Sequence, residues 1–600
     1  MSLNIHAGAN PFRIRRVERM EEGEILNGYC HPPDITLNDS RTLIVQGPRG
    51  SGKSTVLRAL TASPVGDHVI EAETGDNVVG TYMNLSFQWV ASFHRGGVVS
   101  WSQGREDEGY TILAQALNLF IALNFVSTLR RLQQWMEKSG VVVGEEGELL
   151  EFQFTGLLMK EFFVGELPDF ISYRQAIERL ERLHSDLLHE VQKSHVTGKL
   201  SVPEDLRFSE FFVPISKTVD SVLRIGAVPD GILWVFAFDE LDYLNEWGMK
   251  LFNTLIRSVR YPIAVKGACL PHGHKITETL HDGLPADVGQ DFDYAALAAD
   301  PKTEKTQLFC LELYKKRVAM NRHSELPEDP ADWLMARSLR QRGLPSLLHE
   351  HGSESWPDSI AEELGRGKGA RDAGVDDTAV KKFLPAAAFR VMKRHKSSKG
   401  PVQLPVYAGW KDVVSASDGN PRRFFRLLDR LFHAWSGANT AAPQIQGLDE
   451  KIQSATIVEV ARNAIDKLIA LPYNGREVMK ITECIGDALR VRMHESESLI
   501  LDSCSVEFAL DQVRGEHRRP LETALNFGVL CPWEFDSQNG YPTGMHRYWL
   551  SYGIAPHFWL VLRKGQAIRL SKVLDGLDLT SRDAVSSVRQ QTIFNLLEGD

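Results

Sequence analysis

Five short apolar runs mark the chain at wide intervals: Thr42–Gly47 (TLIVQG), Val78–Leu85 (VVGTYMNL), Ile232–Phe238 within GILWVFAFDELDYL, Tyr261–Gly273 (YPIAVKGACLPHG) and Asp291–Ala298 (DFDYAALA). The clearest of them are almost unbroken rather than alternating, the pattern of strands buried on both faces of a parallel sheet. Residues 96–228 instead repeat apolar positions at helical spacing, in YTILAQALNLFIALNFVSTLRRLQQWMEK and again in DFISYRQAIERLERLHSDLLHEVQKS. They predict a large helical insertion between the second and third strands. Further along, DEKIQSATIVEVARNAIDKLIAL predicts an amphipathic helix. PLETALNFGVLCPW and the aromatic-rich HRYWLSYGIAPHFWLVLRKGQAIRLSKVL predict a helix followed by strand-rich turns. The aromatics Tyr548, Trp549, Tyr552, Phe558 and Trp559 fit a core.

Length and composition narrow this picture. Six hundred residues suffice for roughly three to five domains. A 43% hydrophobic and 24% charged chain is an ordinary globular mix, and its net charge of -10 excludes a protein that coats nucleic acid over its whole surface. The six cysteines form no CxxC pair and no dense framework, so reduced thiols and a cytoplasmic location are expected. No apolar run approaches the ~20 residues of a membrane span, and Ile112–Val126, the longest candidate, carries Gln115, Asn118 and Asn124. No membrane association is expected. Leu364–Asp377 (LGRGKGARDAGVDD) predicts a flexible loop, and Lys393–Gly400 (KRHKSSKG) a solvated basic run.

The candidate chemistry begins at GPRGSGKST, Gly47–Thr55, which follows the first strand directly and leads into the helical STVLRALTA. Strand, GxxxxGK[ST] and helix together define a P-loop. Gly47, Gly50 and Gly52 let the backbone turn its N–H groups inward, so that Gly47, Pro48, Arg49, Gly50, Ser51, Gly52, Lys53, Ser54 and Thr55 form a phosphate cradle. Lys53 is expected to reach the β- and γ-phosphates of ATP, and the Ser54 hydroxyl to ligate Mg2+. The third strand ends in Asp239-Glu240. Asp239 is the expected metal-side acid and Glu240 the general base that polarises water. Such a pair implies a hydrolase with one additional strand, Tyr261–Gly273, between the P-loop strand and the acid strand. The tip of that strand should offer a polar group to the γ-phosphate; it carries only Cys269, His272 and His274, of which His272 is the candidate.

YAGWKDVVSASDGNPRRFFRLLDRLF, Tyr407–Phe432, predicts a helix capped by Ser417 or Asp418, with Pro421 in its first turn. Arg422 and Arg423 then stand at a helix start, where cations oppose the macrodipole unless an anion is near. A γ-phosphate is the obvious anion.

With GPRGSGKST, the strand ending in Asp239-Glu240 and GNPRR, the chain resembles AAA+ ATPases of the origin-recognition (ORC-type) initiator class, and more closely the bacterial ORC-like ATPases found beside phage-defence and mobile-element genes. The resemblance covers about residues 10–95, 230–320 and 400–435. It implies an α/β fold: a P-loop AAA+ parallel-sheet core with a large helical insertion, a helical lid and a C-terminal winged-helix-like domain. The expected division is 1–95 and 229–325 for the core, 96–228 for the insertion, 326–440 for the lid and 441–600 for the winged-helix-like domain. It assigns Arg422 the sensor-2 role, with Arg423 as the alternative, and gives Arg317 and Arg322 as candidates for an arginine finger offered to a neighbouring subunit. In the tail, Arg514, Arg518, Arg519, Arg563, Lys564 and Arg569 are candidate phosphate contacts to DNA. Three functions remain open on this reading. One is an oligomerising ATPase switch that controls DNA or a partner effector, in antiphage defence. The others are a DNA-binding initiator or loader and a STAND-like regulator that holds ATP without rapid turnover.

Overall fold

A computed structural model describes residues 10–13, 20, 22–33, 35, 40–61, 77–85, 106–141, 145–165, 171–197, 203, 205–225, 228, 231–281, 284–297, 300–321, 326–334, 386–391, 396–397, 400–401, 406–439, 447–495, 504–535 and 540–574. The five apolar runs form strands β1 (Thr42–Gln46), β2 (Asn77–Asn84), β3 (Ile232–Asp239), β4 (Ile263–Cys269) and β5 (Phe292–Ala296). They pair in parallel in the order β2-β3-β4-β1-β5. The strand expected at Tyr261–Gly273 is β4, and it lies between β1 and β3. Every residue of β1, β3 and β4 is buried, which explains why these runs lack alternation.

Short helices α1 (Glu22–Gly28) and α2 (Lys53–Thr61) pack on one side of the sheet, where Ile25, Leu57 and Leu60 meet Leu43 and Val45. The other side is covered by the insertion: α3 (Glu106–Lys138), α4 (Glu145–Lys160), α5 (Tyr173–Thr197) and α6 (Val213–Arg224). Phe125 of α3 lies edge-on to Trp234 of β3, and the Thr128 hydroxyl donates to the Gly80 carbonyl of β2 at 3.2 Å. The run Ile112–Val126 is the middle of this longer helix. Its most apolar window has mean hydropathy 1.7 and is by length and composition able to cross a membrane, yet 78% of it is buried inside the protein. Gln115 and Asn118 are buried too. Asn118 accepts from the Phe212 N–H at 2.6 Å and donates to the Glu210 carbonyl at 3.0 Å, satisfying the loop that enters α6.

After α7 (Glu246–Ser258) and α8 (Glu304–Met320), the chain reaches α9 (Trp410–Ala416) and the lid helix α10 (Pro421–Asn439). Leu364–Asp377 lies outside the described residues. Within Lys393–Gly400, β6 (Lys396–Ser397) pairs antiparallel with β7 (Gly400–Pro401). The C-terminal region contains α11 (Glu450–Asp466), α12 (Gly475–Glu495), β8 (Ser505–Ala509), α13 (Gly515–Asn526), β9 (Leu530–Pro532), β10 (Met545–Leu550), β11 (Ile568–Arg569) and α14 (Leu570–Leu574). Its sheet runs β11-β8-β10-β9, with β10 antiparallel to both neighbours. Tyr548, Trp549, Tyr552 and Phe558 are core residues, whereas Trp559 is 38% exposed.

One apolar cluster runs continuously from α8 and α10 into α12 and β10. Polar contacts reinforce it. The Asp418 carboxylate accepts from the Arg423 guanidinium, from the Ser551 hydroxyl at 2.5 Å and from the Tyr552 N–H at 2.7 Å. Lys564 pairs with Asp300 at 3.0 Å and lies over the Trp549 ring, so it braces the C-terminal region against the segment after β5. Asp418 has φ +54, which asparagine tolerates, so Asp418→Asn tests the charge without altering the backbone. Removing the buried charge that holds the half-buried Arg423 is expected to cost about 2 kcal/mol. Calorimetry should show a lower transition for the lid and C-terminal region; an unaltered thermogram would refute this role for Asp418.

Candidate functional site

At the carboxyl end of the parallel sheet, where ligands enter such folds, the loop after β1 turns through Gly50 at φ +89 and Gly52 at φ +100. These angles favour glycine, and Gly50 has a second constraint. A Cβ there would stand 2.7 Å from the Cβ of Arg422, so the loop and the lid helix touch with no room for a side chain. The loop borders a cavity of about 590 Å3. Gly50, Ser51, Gly52, Lys53, Ser54 and Thr55 line it, with Arg49 at its edge. Gly47 and Pro48 are buried behind them and take part through their carbonyls, which accept from Lys53 Nζ at 2.6 and 3.2 Å.

The electrostatics are those of a site built for charge. Burial lowers the Lys53 pKa, opposed by Asp239, Asp242, Cys269 and Glu240. Asp239 is fully buried at the end of β3, and desolvation raises its pKa. Hydrogen bonds from the Ser54 hydroxyl, the Tyr82 hydroxyl at 2.7 Å and the Glu240 N–H at 2.9 Å act the other way. Glu240 then adopts the left-handed region at φ 60, ψ 47, a cost of about 1 kcal/mol for a non-glycine residue. That turn ends the strand and brings Glu240 to the cavity wall beside Asp242. The Ser51 hydroxyl is buried in the loop without a hydrogen-bond partner. An orphaned donor, a desolvated lysine and a Ser54–Asp239 pair fit a polyphosphate with a divalent cation: loop amides and Lys53 for the phosphates, Ser54 and Asp239 for Mg2+. At the other end, Ile25, Tyr29 and Pro32 face Phe309 and Leu313, an apolar slot that suits a base.

Arg422 and Arg426 of α10 reach the same cavity. Arg423 does not line it. Its guanidinium is held by the Phe527 and Gly528 carbonyls at 2.7 and 2.8 Å, by Ser551 and by Asp418, so it joins lid to C-terminal region. The expected cap also needs correction. Asn420, not Ser417 or Asp418, accepts from the N–H groups of Arg422 and Arg423 at 3.1 and 3.3 Å. Its amide donates to the Arg49 carbonyl at 3.2 Å, so the cap of the lid helix also grips the phosphate loop. Asparagine directly before a proline at the first helical position was the available signal.

His272 stands away from the cavity, edge-on to Tyr541 of the C-terminal region. Leu270 occupies the cavity wall at the tip of β4, its N–H donating to Asp242 at 3.2 Å. Burial holds the Cys269 thiol neutral, its pKa pushed up to about 12. Arg317 lines the cavity of its own chain, 4.8 Å over the Phe425 ring. Arg322 lies outside the described residues. Tyr82, the hydroxyl donor to Asp239, escaped the sequence reading because a tyrosine inside an apolar strand carries no chemical signal of its own.

A family model described as ORC-CDC6-like matches residues 10–570, and the chain belongs to that family, that of AAA+ ATPases of the initiator type. No curated protein matches the chain.

His274 anchors the segment after β4, bonded through its ring nitrogens to Tyr294 Oη at 2.7 Å and Asn253 Oδ1 at 2.8 Å. Burial lowers its pKa to about 4. The unfolded chain binds this proton below pH ~6.5 and the folded chain does not, so stability is full above that pH and falls toward pH 4, by about 1.4 kcal/mol per unit. His274→Gln keeps both partners and removes the proton. Its loss of denaturant stability between pH 7 and 5 should be about 2 kcal/mol smaller than the parent's. An equal loss would mean that His274 is charged in the fold.

Proposed function

We propose that this ORC-CDC6-like chain hydrolyses ATP and uses the nucleotide state to set the angle between its sheet core and its joined lid and C-terminal region. The observation that carries this reading is convergence: Lys53, Ser54, Asp239, Glu240 and Arg422, from three distant segments, line one cavity. The cradle amides and Lys53 bind the phosphates, and Lys53 offsets their charge. Ser54 and Asp239 hold Mg2+, which when bound neutralises charge on the phosphate oxygens. Glu240 accepts a proton from the attacking water as its oxygen bonds to the γ-phosphorus and the bond to the ADP oxygen breaks. Arg422 stabilises the charge that develops on the transferred group.

The output follows from the same contacts. The Arg49 N–H donates to the Asn526 carbonyl at 3.0 Å and the Arg422 N–H to the Gly50 carbonyl at 3.3 Å, so loop, lid and C-terminal region meet at one point. A switch of this kind acts through assembly with copies of itself and through a partner effector, as expected for the bacterial ORC-like proteins found in antiphage settings. The exposed Arg514, Arg518 and Arg519 beside and on α13 favour a second reading, a winged-helix-like unit that binds DNA for a loader.

Lys53→Ala should abolish ATP binding in a fluorescent-nucleotide titration. Glu240→Gln should bind ATP as the parent does while phosphate release falls about 100-fold or more. Arg422→Ala should impair release by a larger factor than binding. Phosphate release at the parent rate in Glu240→Gln would exclude it as base, and a parent without turnover would favour the STAND-like regulator.

In light scattering, ATP or a slow analogue should raise the mass of the parent and not of Lys53→Ala. A constant monomer mass under all conditions, including added duplex DNA, would rule out assembly as the output.

A further inference from the structure

Arg422, Arg426 and Arg430 recur every four residues along one face of α10, with His433 in the next turn. Like charges at this spacing repel. On one side, Arg422 and Arg426 border the nucleotide cavity. On the other they border a second, half-open cavity of about 800 Å3, lined by α10, α11 and C-terminal residues Phe527, Val529, Ser551, Gly553 and Ile554. Arg13, Arg49 and Lys467 extend the basic rim, and Asp429 is the one acid among its described lining residues. Asp429 already accepts from the Asn10 amide at 2.8 Å. Arg423 also lines this cavity, with its charge met by Asp418. Such a concentration of cations is not a consequence of composition in a chain of net charge -10.

The interior is different. Leu427, Leu468 and Phe527 supply an apolar floor beneath the basic rim. A solvated charged face has no use for an apolar floor of buried Leu427 and Leu468, whereas a ligand with phosphates at one end and a ring at the other uses both. We propose that this second cavity binds a nucleotide-class ligand, with its phosphates on Arg426, Arg430 and Lys467 and its base on the floor beside Phe527. The site lies outside the phosphate cradle, which it meets at Arg49, and does not depend on ATP turnover. It communicates with the loop through shared residues: Arg422 and Arg426 face both cavities, and the Arg49 guanidinium lies 5.2 Å over the Phe527 ring. Binding at the two sites is therefore coupled, with reciprocal effects on affinity.

The test uses full-length protein carrying Lys53→Ala, which disables the first site, and calorimetric titration with AMP, ADP, GTP, a phosphodiester-linked dinucleotide and inorganic tripolyphosphate. At least one base-bearing probe should bind with one-to-one stoichiometry and more tightly than tripolyphosphate. Arg430→Glu and Lys467→Glu, each added to Lys53→Ala, should weaken that probe at least tenfold. In the otherwise unaltered chain these two exposed positions should leave the fold, read by circular dichroism, unchanged. The same probe should shift ATP affinity in the parent and not in Arg430→Glu. If ATP binding survives Lys53→Ala, the assignment of the first cavity fails; the second is then judged by whether one of two stoichiometric sites vanishes in Arg430→Glu. Binding by no probe, tripolyphosphate as tight as every nucleotide, or binding only of duplex DNA would each overturn the proposal.

Discussion

Everything around the nucleotide cavity depends on one asparagine side chain. Asn420 accepts from the first free N–H groups of the lid helix and donates to a carbonyl of the phosphate loop. A helix start leaves several amides without intrahelical partners, and something must satisfy them. Here the group that does so also ties the helix to the loop that cradles phosphate. Pro421 pre-sets the first turn, and Gly50 permits contact at backbone distance. The phosphate loop and the start of α10 are therefore joined at their backbones.

The acid at the end of β3 is held at a cost. Asp239 is fully buried, and its carboxylate is supported by two hydroxyls and one amide. Glu240 next to it sits in a strained backbone conformation. Neither feature benefits the empty fold. Both are what a binding site retains when a charged ligand and its metal supply the missing compensation.

Much of the sheet was legible because buried parallel strands write unbroken apolar runs, and because glycine loop, lysine and acid strand have fixed local order. All five strands could be found this way, and β4 fell where the Asp239-Glu240 pair required it. The junctions were not legible. Arg423 and Arg422 are neighbours with the same chemistry, and only the fold shows that one meets Asp418 and Ser551 while the other meets the cavity. His272 drew attention as a polar residue near a strand tip, but its surroundings come from Tyr541, far along the chain. Lys564, a candidate phosphate contact, pairs with Asp300 and lies over the Trp549 ring. Ser551, Tyr541 and Asp300 lie more than a hundred residues from the side chains they meet, where local pattern carries no information. Gln115 and Asn118 are the converse: they argued against a membrane by composition, and their actual work is to satisfy the backbone of a loop about 90 residues downstream.

The apolar cluster shared by α8, α10, α12 and β10 has an evolutionary consequence. A tail that merely followed the lid on a linker could be exchanged between related genes by recombination at that linker. Here a crossover near residue 440 would separate Phe432 and Trp435 from the partners that cover them, and leave Asp418 without Ser551 and Tyr552. A changed tail must therefore be inherited together with α10, or differ only on the outer surface of α13 and the small sheet. The five-stranded core and its insertion bury a separate apolar cluster and meet the lid and tail chiefly through polar contacts at the phosphate loop and Asp300.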